Sequence, residues 1–213
     1  MLRDQIKDVL LQRILAGTYS SGERIKEMRI AEEFGVSQAP VREALRELAI
    51  LRLVVSEPFK GVRVREVDHA DILETYPVRG ALEEVAARAA VGRIDDRVKE
   101  LKNAIDSMRS AAVDQDLHRF VTHDVEFHRL IVTASSNNTL VELWQSLHVD
   151  LRTRFTLIQR TADLPEVAEA HVPILEALVA GDGDLAGRRV REHIEGFGRW
   201  VATQLHTAPV GSE

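Results

Sequence analysis

The sequence has no cysteine in its 213 residues. That absence excludes a disulfide scaffold, thiol chemistry and thiolate-bound zinc, and leaves histidine and carboxylates as the side chains able to hold a metal. Nor does any window approach the roughly 18 apolar residues that a membrane-spanning helix requires. The opening stretch, residues 1–15, is charged throughout (Arg3, Asp4, Lys7, Asp8, Arg13) and lacks the apolar centre of a signal peptide, so the expected location is the cytoplasm. No HExxH motif, phosphate-cradling glycine loop or nucleophile elbow occurs, which turns the reading away from an enzyme.

What is present is ordinary globular composition, 45% hydrophobic and 29% charged, in a chain long enough for two small domains. The net charge of −6 is unevenly spread. Residues 1–66 carry 12 Lys/Arg against 10 Asp/Glu, net +2, and residues 67–213 carry 16 against 24, net −8. An acidic body with a mildly basic head suits a protein that presents one end to DNA.

Residues 1–66 read as a DNA-binding domain. Apolar residues at helical spacing predict helices over 2–15, 26–34 and 37–51, the last with Val41, Ala44, Leu45 and Leu48 as its inward stripe. The period then changes to short β-branched runs, Leu53–Ser56 and Val62–Val64, which predict a hairpin. Three helices and a hairpin make a winged helix-turn-helix. Ala31 is small where two helices meet, Gly35 suits a left-handed corner, and Ser37 is a good N-cap with Pro40 in the turn that follows. With the stripe inward, Ser37, Gln38, Ala39, Arg42 and Arg46 face out, and Gln and Arg on such an edge can read bases in the major groove. Arg29, Lys60 and Gly61 complete the candidate DNA-contacting set, the last two at the hairpin tip.

From Asp68 onward strand signals stop. Residues 67–206 predict an all-α bundle of six or seven helices, read as six over 69–92, 94–112, 115–134, 138–161, 163–180 and 182–206, with Asp163 and Asp182 as N-caps and residues 207–213 as a flexible tail. Asp124 and His128, four apart, share one helix face. Three helices can bring them together with His171 and His193 inside a bundle. Three His and one Asp suit a divalent ion: zinc is placed first, and nickel, manganese and iron are also compatible. His69, His118, His123, His148 and His206 read as solvated or structural.

Residues 14–64 resemble the DNA-binding domain of the GntR family of bacterial regulators, through Gly17-Thr18-Tyr19-Ser20-Ser21-Gly22-Glu23-Arg24-Ile25, Gly35-Val36-Ser37-Gln38-Ala39-Pro40-Val41-Arg42-Glu43-Ala44-Leu45 and the wing Gly61. Gln38 stands where the family often has Arg, and Arg52 where it usually has Gly. Residues 69–206 resemble the FCD-type ligand-binding domain of the FadR subfamily, VanR-like group. The signatures are Tyr76-Pro77-Val78-Arg79 with Leu82-Glu83, Asp124-Val125-Glu126-Phe127-His128, Asn137 before Leu140, His171 with Ile174, and His193-Ile194. The resemblance implies a homodimer on a palindromic double-stranded operator, acting as a repressor. It also implies metal ligation by Asp124, His128, His171 and His193, and a small organic acid or sugar acid as effector. Arg79 resembles the family's cavity arginine and can pair with an anion. Asn137 can add a polar contact or simply cap a turn, and Arg152 can line the pocket or sit in solvent. Two other readings compete: a metal-dependent enzyme using the Asp/His site, and a purely structural dimerisation bundle on a DNA-binding head.

Overall fold

Ile6, Leu10, Leu11 and Ile14 recur at helical spacing and form the buried face of α1 (Leu2–Leu15). The computed structural model describes residues 2–15, 18–50, 53–57, 61–65, 73–149, 152–153, 157 and 163–207, and the chain divides into two compact units, Met1–Asp68 and His69–Glu213. Lys60, Arg52, His69, Arg154 and residues 208–213 lie outside the described residues. Among the described residues, no helix is long and apolar enough to cross a membrane.

The first unit is a winged helix-turn-helix. β1 (Arg24–Ile25) is followed by α2 (Glu27–Phe34), α3 (Gln38–Ile50), β2 (Val54–Glu57) and β3 (Gly61–Val64). Gly35, at φ +63, ends α2 in the left-handed conformation, and the turn lets Val36 N donate to Ala31 O. α1 packs on α3, whose Val41, Ala44, Leu45 and Leu48 are fully or nearly fully buried. The antiparallel sheet has the order β1-β3-β2, with Ile25 opposite Val62 and Val54 opposite Val64. β1 was not expected from the sequence, because two residues show no alternation; it forms where Gly22, at φ +76, turns the chain back onto β3.

The second unit is all α. α4 (Thr75–Ala90) leads to a 3-10 turn, Asp95–Arg97, and then to α5 (Val98–Val113), α6 (Leu117–Ala134), α7 (Asn138–Ser146), α8 (Leu164–Glu169), α9 (Val172–Val179) and α10 (Gly183–Thr207). Asp163 and Asp182 do cap helices, accepting from Glu166 N and Leu185 N. Two expected helices are corrected. The helix expected over 163–180 is split at Ala170–His171, because Pro173 in the first turn of α9 cannot donate to the carbonyl four residues back and its ring would collide there. The helix expected over 138–161 is interrupted after Ser146, where His148 turns left-handed at φ +48; Val149, Arg152, Thr153 and Leu157 beyond it are helical again.

α4 and α10 pack along their length, α4 also rests on α6 and α5 on α6. The α4–α10 contact is close. A Cβ on Gly198 would lie 2.8 Å from both Cβ and Cγ of Tyr76, so only glycine fits there. The buried core around α5 and α6 includes Leu101, Ile105, Met108, Phe120, Phe127 and Ile131.

Candidate nucleic-acid face and metal centre

On the first unit, Ser37, Ala39, Arg42 and Arg46 are exposed and Gln38 is half-buried at the start of α3. Arg42 is not idle: its Nε donates to Glu27 Oε2 at 2.7 Å and one of its terminal nitrogens to Gln38 Oε1 at 2.9 Å. Arg46 pairs with Glu43 at 2.7 Å, and Arg29 is exposed on α2. Gly61, at φ +81, has the guanidinium of Arg24 3.1 Å from where a Cβ would stand. An open groove of about 380 Å³ runs between the start of α3 and the wing, lined by Arg24, Lys26, Met28, Gln38 and Gly61. Arg24 and Lys26, which flank Ile25 directly after a turn, line this groove without having been among the residues expected there.

In the second unit the structure brings the ligand candidates together. Asp124 and His128 project from one face of α6, both buried, and His171 is fully buried at the N-cap of α9, a place created by the helix break at Pro173. His193 reaches in from α10. One ring nitrogen from each of His128, His171 and His193 lies within 4.8 Å of the others. Asp124 Oδ1 is 3.2 Å from His171 Nε2, close but not aligned as a hydrogen bond.

The far sides of two imidazoles are tied down. His128 Nδ1 lies 2.5 Å from Glu83 Oε2, and His171 Nδ1 lies 2.9 Å from Val167 O. Each donates only if it carries a proton, and in the neutral ring a proton on Nδ1 leaves Nε2 bare. Both Nε2 atoms are buried and, among the described residues, have no hydrogen-bond partner. Buried polar atoms are ordinarily satisfied, so two orphaned acceptors facing one point beside a carboxylate fit a divalent cation. A cavity lined by Arg79, Asp124, His128 and His193 among others has about 20 Å³ of room, enough for one water-sized guest.

Glu83 was quoted in the sequence only as part of a signature, and the structure gives it a central place. It is fully buried and accepts from Arg79 Nε at 2.7 Å, Trp144 Nε1 at 2.6 Å and His128 Nδ1. Arg79 is buried too, and one of its terminal nitrogens has no partner among the described residues. Asn137 lies away from the cavity lining, capping α7 by accepting from Leu140 N at 3.1 Å. Arg152 is half-buried and donates from Nε to Leu147 O, while Thr153 and Leu157 line the cavity.

The surroundings push four of these groups in definite directions. Burial alone would raise the Glu83 carboxyl, but Arg79 and His128 outweigh it and hold the group at about 2. For Asp124 burial is likewise outweighed, by His171, His128 and Arg79, again to about 2. Burial lowers His128 against the pull of Glu83, and lowers His193 well below its ordinary 6.5, assisted by the neighbouring His171, His128 and Arg79. The consequences for metal-free stability have one sign. Above 6.5 neither state of the lowered histidines is protonated. Below it the unfolded chain takes protons that the folded one refuses, so stability falls. The depressed carboxylates stabilise the fold above about 4 and lose that contribution as pH drops toward 2. Metal-free protein should therefore unfold at progressively lower urea as pH is reduced from 7 to 4. Both tryptophans, Trp144 and Trp200, lie in the helical unit, so their fluorescence follows that unit alone. A midpoint constant across that range would contradict these assignments.

Comparison with known proteins agrees with this architecture. The family described as "Bacterial regulatory proteins, gntR family" matches residues 2–64, and the FCD domain family matches residues 74–196. The chain is 35% identical over 193 residues to the "Probable D-xylose utilization operon transcriptional repressor" of Paenarthrobacter nicotinovorans, covering 91% of this chain and 85% of that one. It is 28% identical over 193 residues to the gluconate operon transcriptional repressor of Bacillus licheniformis, covering 87% and 79%. Among solved structures, E. coli McbR/YncC shares the fold with a TM-score of 0.74 at 24% identity, over 96% of this chain and 99% of that one.

Proposed function

The chain belongs to the gntR family of bacterial regulatory proteins and carries an FCD domain, and from that premise we propose that it is a cytoplasmic transcriptional repressor controlled by a metal-assisted effector. Residues 1–66 form the DNA-binding head, and a homodimer places two α3 helices on a palindromic operator. Gln38, Arg42 and Ala39 meet base edges; Arg29, Arg46, Lys60 and Gly61 meet the backbone and the minor groove.

Residues 67–206 form the sensor. Asp124, His128, His171 and His193 hold a divalent ion, zinc before nickel, manganese or iron. The observation that carries this is the pair of buried Nε2 atoms on His128 and His171 that have no hydrogen-bond partner among the described residues, each with its opposite nitrogen anchored. The ion supplies positive charge to one carboxylate group of an effector, and Arg79 offers its free nitrogen to the same group. Relatives named for D-xylose and gluconate operons favour a sugar acid or a small organic acid as that effector. The reading is of a sensor and not of an enzyme.

Effector binding acts only by favouring one dimer geometry over another. Metal-loaded protein should release operator DNA in millimolar gluconate or a comparable sugar acid, measured as an affinity shift across several salt concentrations. Operator affinity indifferent to a panel of sugar and organic acids at every salt concentration would remove the sensor role.

A further inference from the structure

Met28, the second residue of α2, is 62% exposed, more than any other large apolar side chain described in the first unit. It takes no part in the inward face of its helix, where Ile30 and Ala31 are buried. A solitary exposed methionine is ordinary on a protein surface and by itself carries nothing. Its surroundings carry more. Met28 shares the groove beside the wing with Gln38, the first residue of α3, and with Gly61, Arg24 and Lys26. The residue before it, Glu27, accepts from Arg42 Nε at 2.7 Å, and Arg42 in turn donates to Gln38 Oε1. The start of α2 is thereby fastened to the outward edge of α3. The thioether stands next to the two side chains proposed to read bases.

The chemistry of the groove narrows what that thioether can meet. Arg24 and Lys26 bring positive charge for phosphates on either side of it. Base edges in the major groove consist of hydrogen-bond donors and acceptors, with one apolar exception, the C5-methyl of thymine. An unbranched, polarisable side chain suits such a small target, because it adapts its reach without a fixed angle of approach. We propose that Met28 is a specificity-determining residue that contacts a thymine C5-methyl in each operator half-site, beside the bases read by Gln38 and Arg42. This rests on the DNA-reading edge proposed above.

The assignment has a consequence for the DNA. Contact with a methyl group is indifferent to the Watson–Crick partner of the base that bears it. Cytosine methylated at C5 holds its methyl at the same place on the pyrimidine ring, so at this position Met28 does not tell it from thymine. Methylation there recovers part of what a change from thymine to cytosine loses.

The probe is a duplex selected by the full-length parent from a random library, with each thymine then replaced in turn by deoxyuridine, which lacks only the methyl. Affinities are compared at one fixed salt concentration. At one thymine per half-site the replacement should weaken the parent about three- to fivefold, the effect of burying roughly one methyl, and about 10- to 25-fold when made in both half-sites. Met28→Ala should bind thymine and deoxyuridine alike at that position, and Met28→Leu should keep the difference. With cytosine placed there, C5 methylation should restore about three- to fivefold in the parent and nothing in Met28→Ala.

Ala39 is a second small apolar residue on the same edge, so a step in the scan that survives in Met28→Ala belongs elsewhere. A scan in which no thymine needs its methyl, or in which every step persists in Met28→Ala, overturns the assignment and leaves the reading edge standing. A Met28→Ala protein weakened equally on all duplexes makes Met28 a backbone contact and overturns it as well. A parent that selects no preferred sequence removes the reading edge and this assignment together. Should Met28→Ala not fold, Met28→Gln, which keeps the length and removes the apolar end, takes its place in the same comparison.

Discussion

Protein carrying both Gln38→Ala and Arg42→Ala is expected to lose on the order of 10²- to 10⁴-fold in operator affinity, since a good bidentate base contact is worth about 1–3 kcal/mol. The structure explains why the two belong together. Arg42 donates to both Glu27 and Gln38, so its guanidinium is pre-oriented on the outward edge of α3 rather than sweeping through solvent. Removing Gln38 alone frees Arg42 on one side and leaves Glu27 to hold it. Removing Arg42 alone leaves Glu27 as an unmatched carboxylate near the DNA. The specific complex should therefore weaken far more than complexes with unrelated DNA, measured at one fixed salt concentration. Arg46→Ala should instead weaken binding to all sequences alike and reduce the salt slope by about one. A double variant that keeps both its fold and its target affinity would end the case for this edge as the reading surface.

Loss of zinc binding by more than 100-fold is expected for Asp124→Ala and for His171→Ala, because each removes a direct ligand where even an outer-shell partner costs about 10- to 100-fold. Protein purified without chelators should contain about one divalent ion per chain in the parent and almost none in either variant. The metal also binds the folded state in preference to the unfolded. At 100 times its dissociation constant it contributes about 2.7 kcal/mol, which corresponds to roughly 5–10 °C in melting temperature for a unit of this size. Addition of a chelator should lower the parent by that amount and leave the variants unmoved. The comparison with and without chelator matters more than absolute melting points, since His171 packs at 4.9 Å against the Phe127 ring and its truncation opens a void of its own. Variants with full metal content and a full chelator response would remove both residues from the ligand set.

The sequence carried the head of the molecule well. The inward stripe of α3, Gly35 and the β-branched runs of the hairpin each have a local physical cause, and local causes can be read one residue at a time. β1 has none, since Arg24 and Ile25 become a strand only because β3 lies beside them. In the helical unit, Asp124 and His128 were legible as one face of one helix, and Pro173 was visible as a residue that ends a helix, although its effect on the run 163–180 was not drawn. Glu83 could not be found in this way. Four residues after Arg79, it reads as half of an ordinary solvated pair on a helix surface. Only burial against Trp144 and His128, 61 and 45 residues away, takes it out of solvent and sets it behind the imidazole. The tie between Arg42 and Glu27 was hidden for the same reason, because it crosses from one helix to the next.

The contact between Gly198 and Tyr76 bears on any attempt to retune this protein as a biosensor. Tyr76 and Phe197, the neighbour of Gly198, both line the cavity, so the width of that wall is set by how near the two helices run. Adding even a methyl group at 198 pushes on the base of the phenol ring and not on its flexible end. Enlarging the chamber for a bulkier guest therefore begins with a smaller side chain at 76, and the two positions have to be varied as one unit in a library, since most single changes at 198 will be lost before specificity is ever tested.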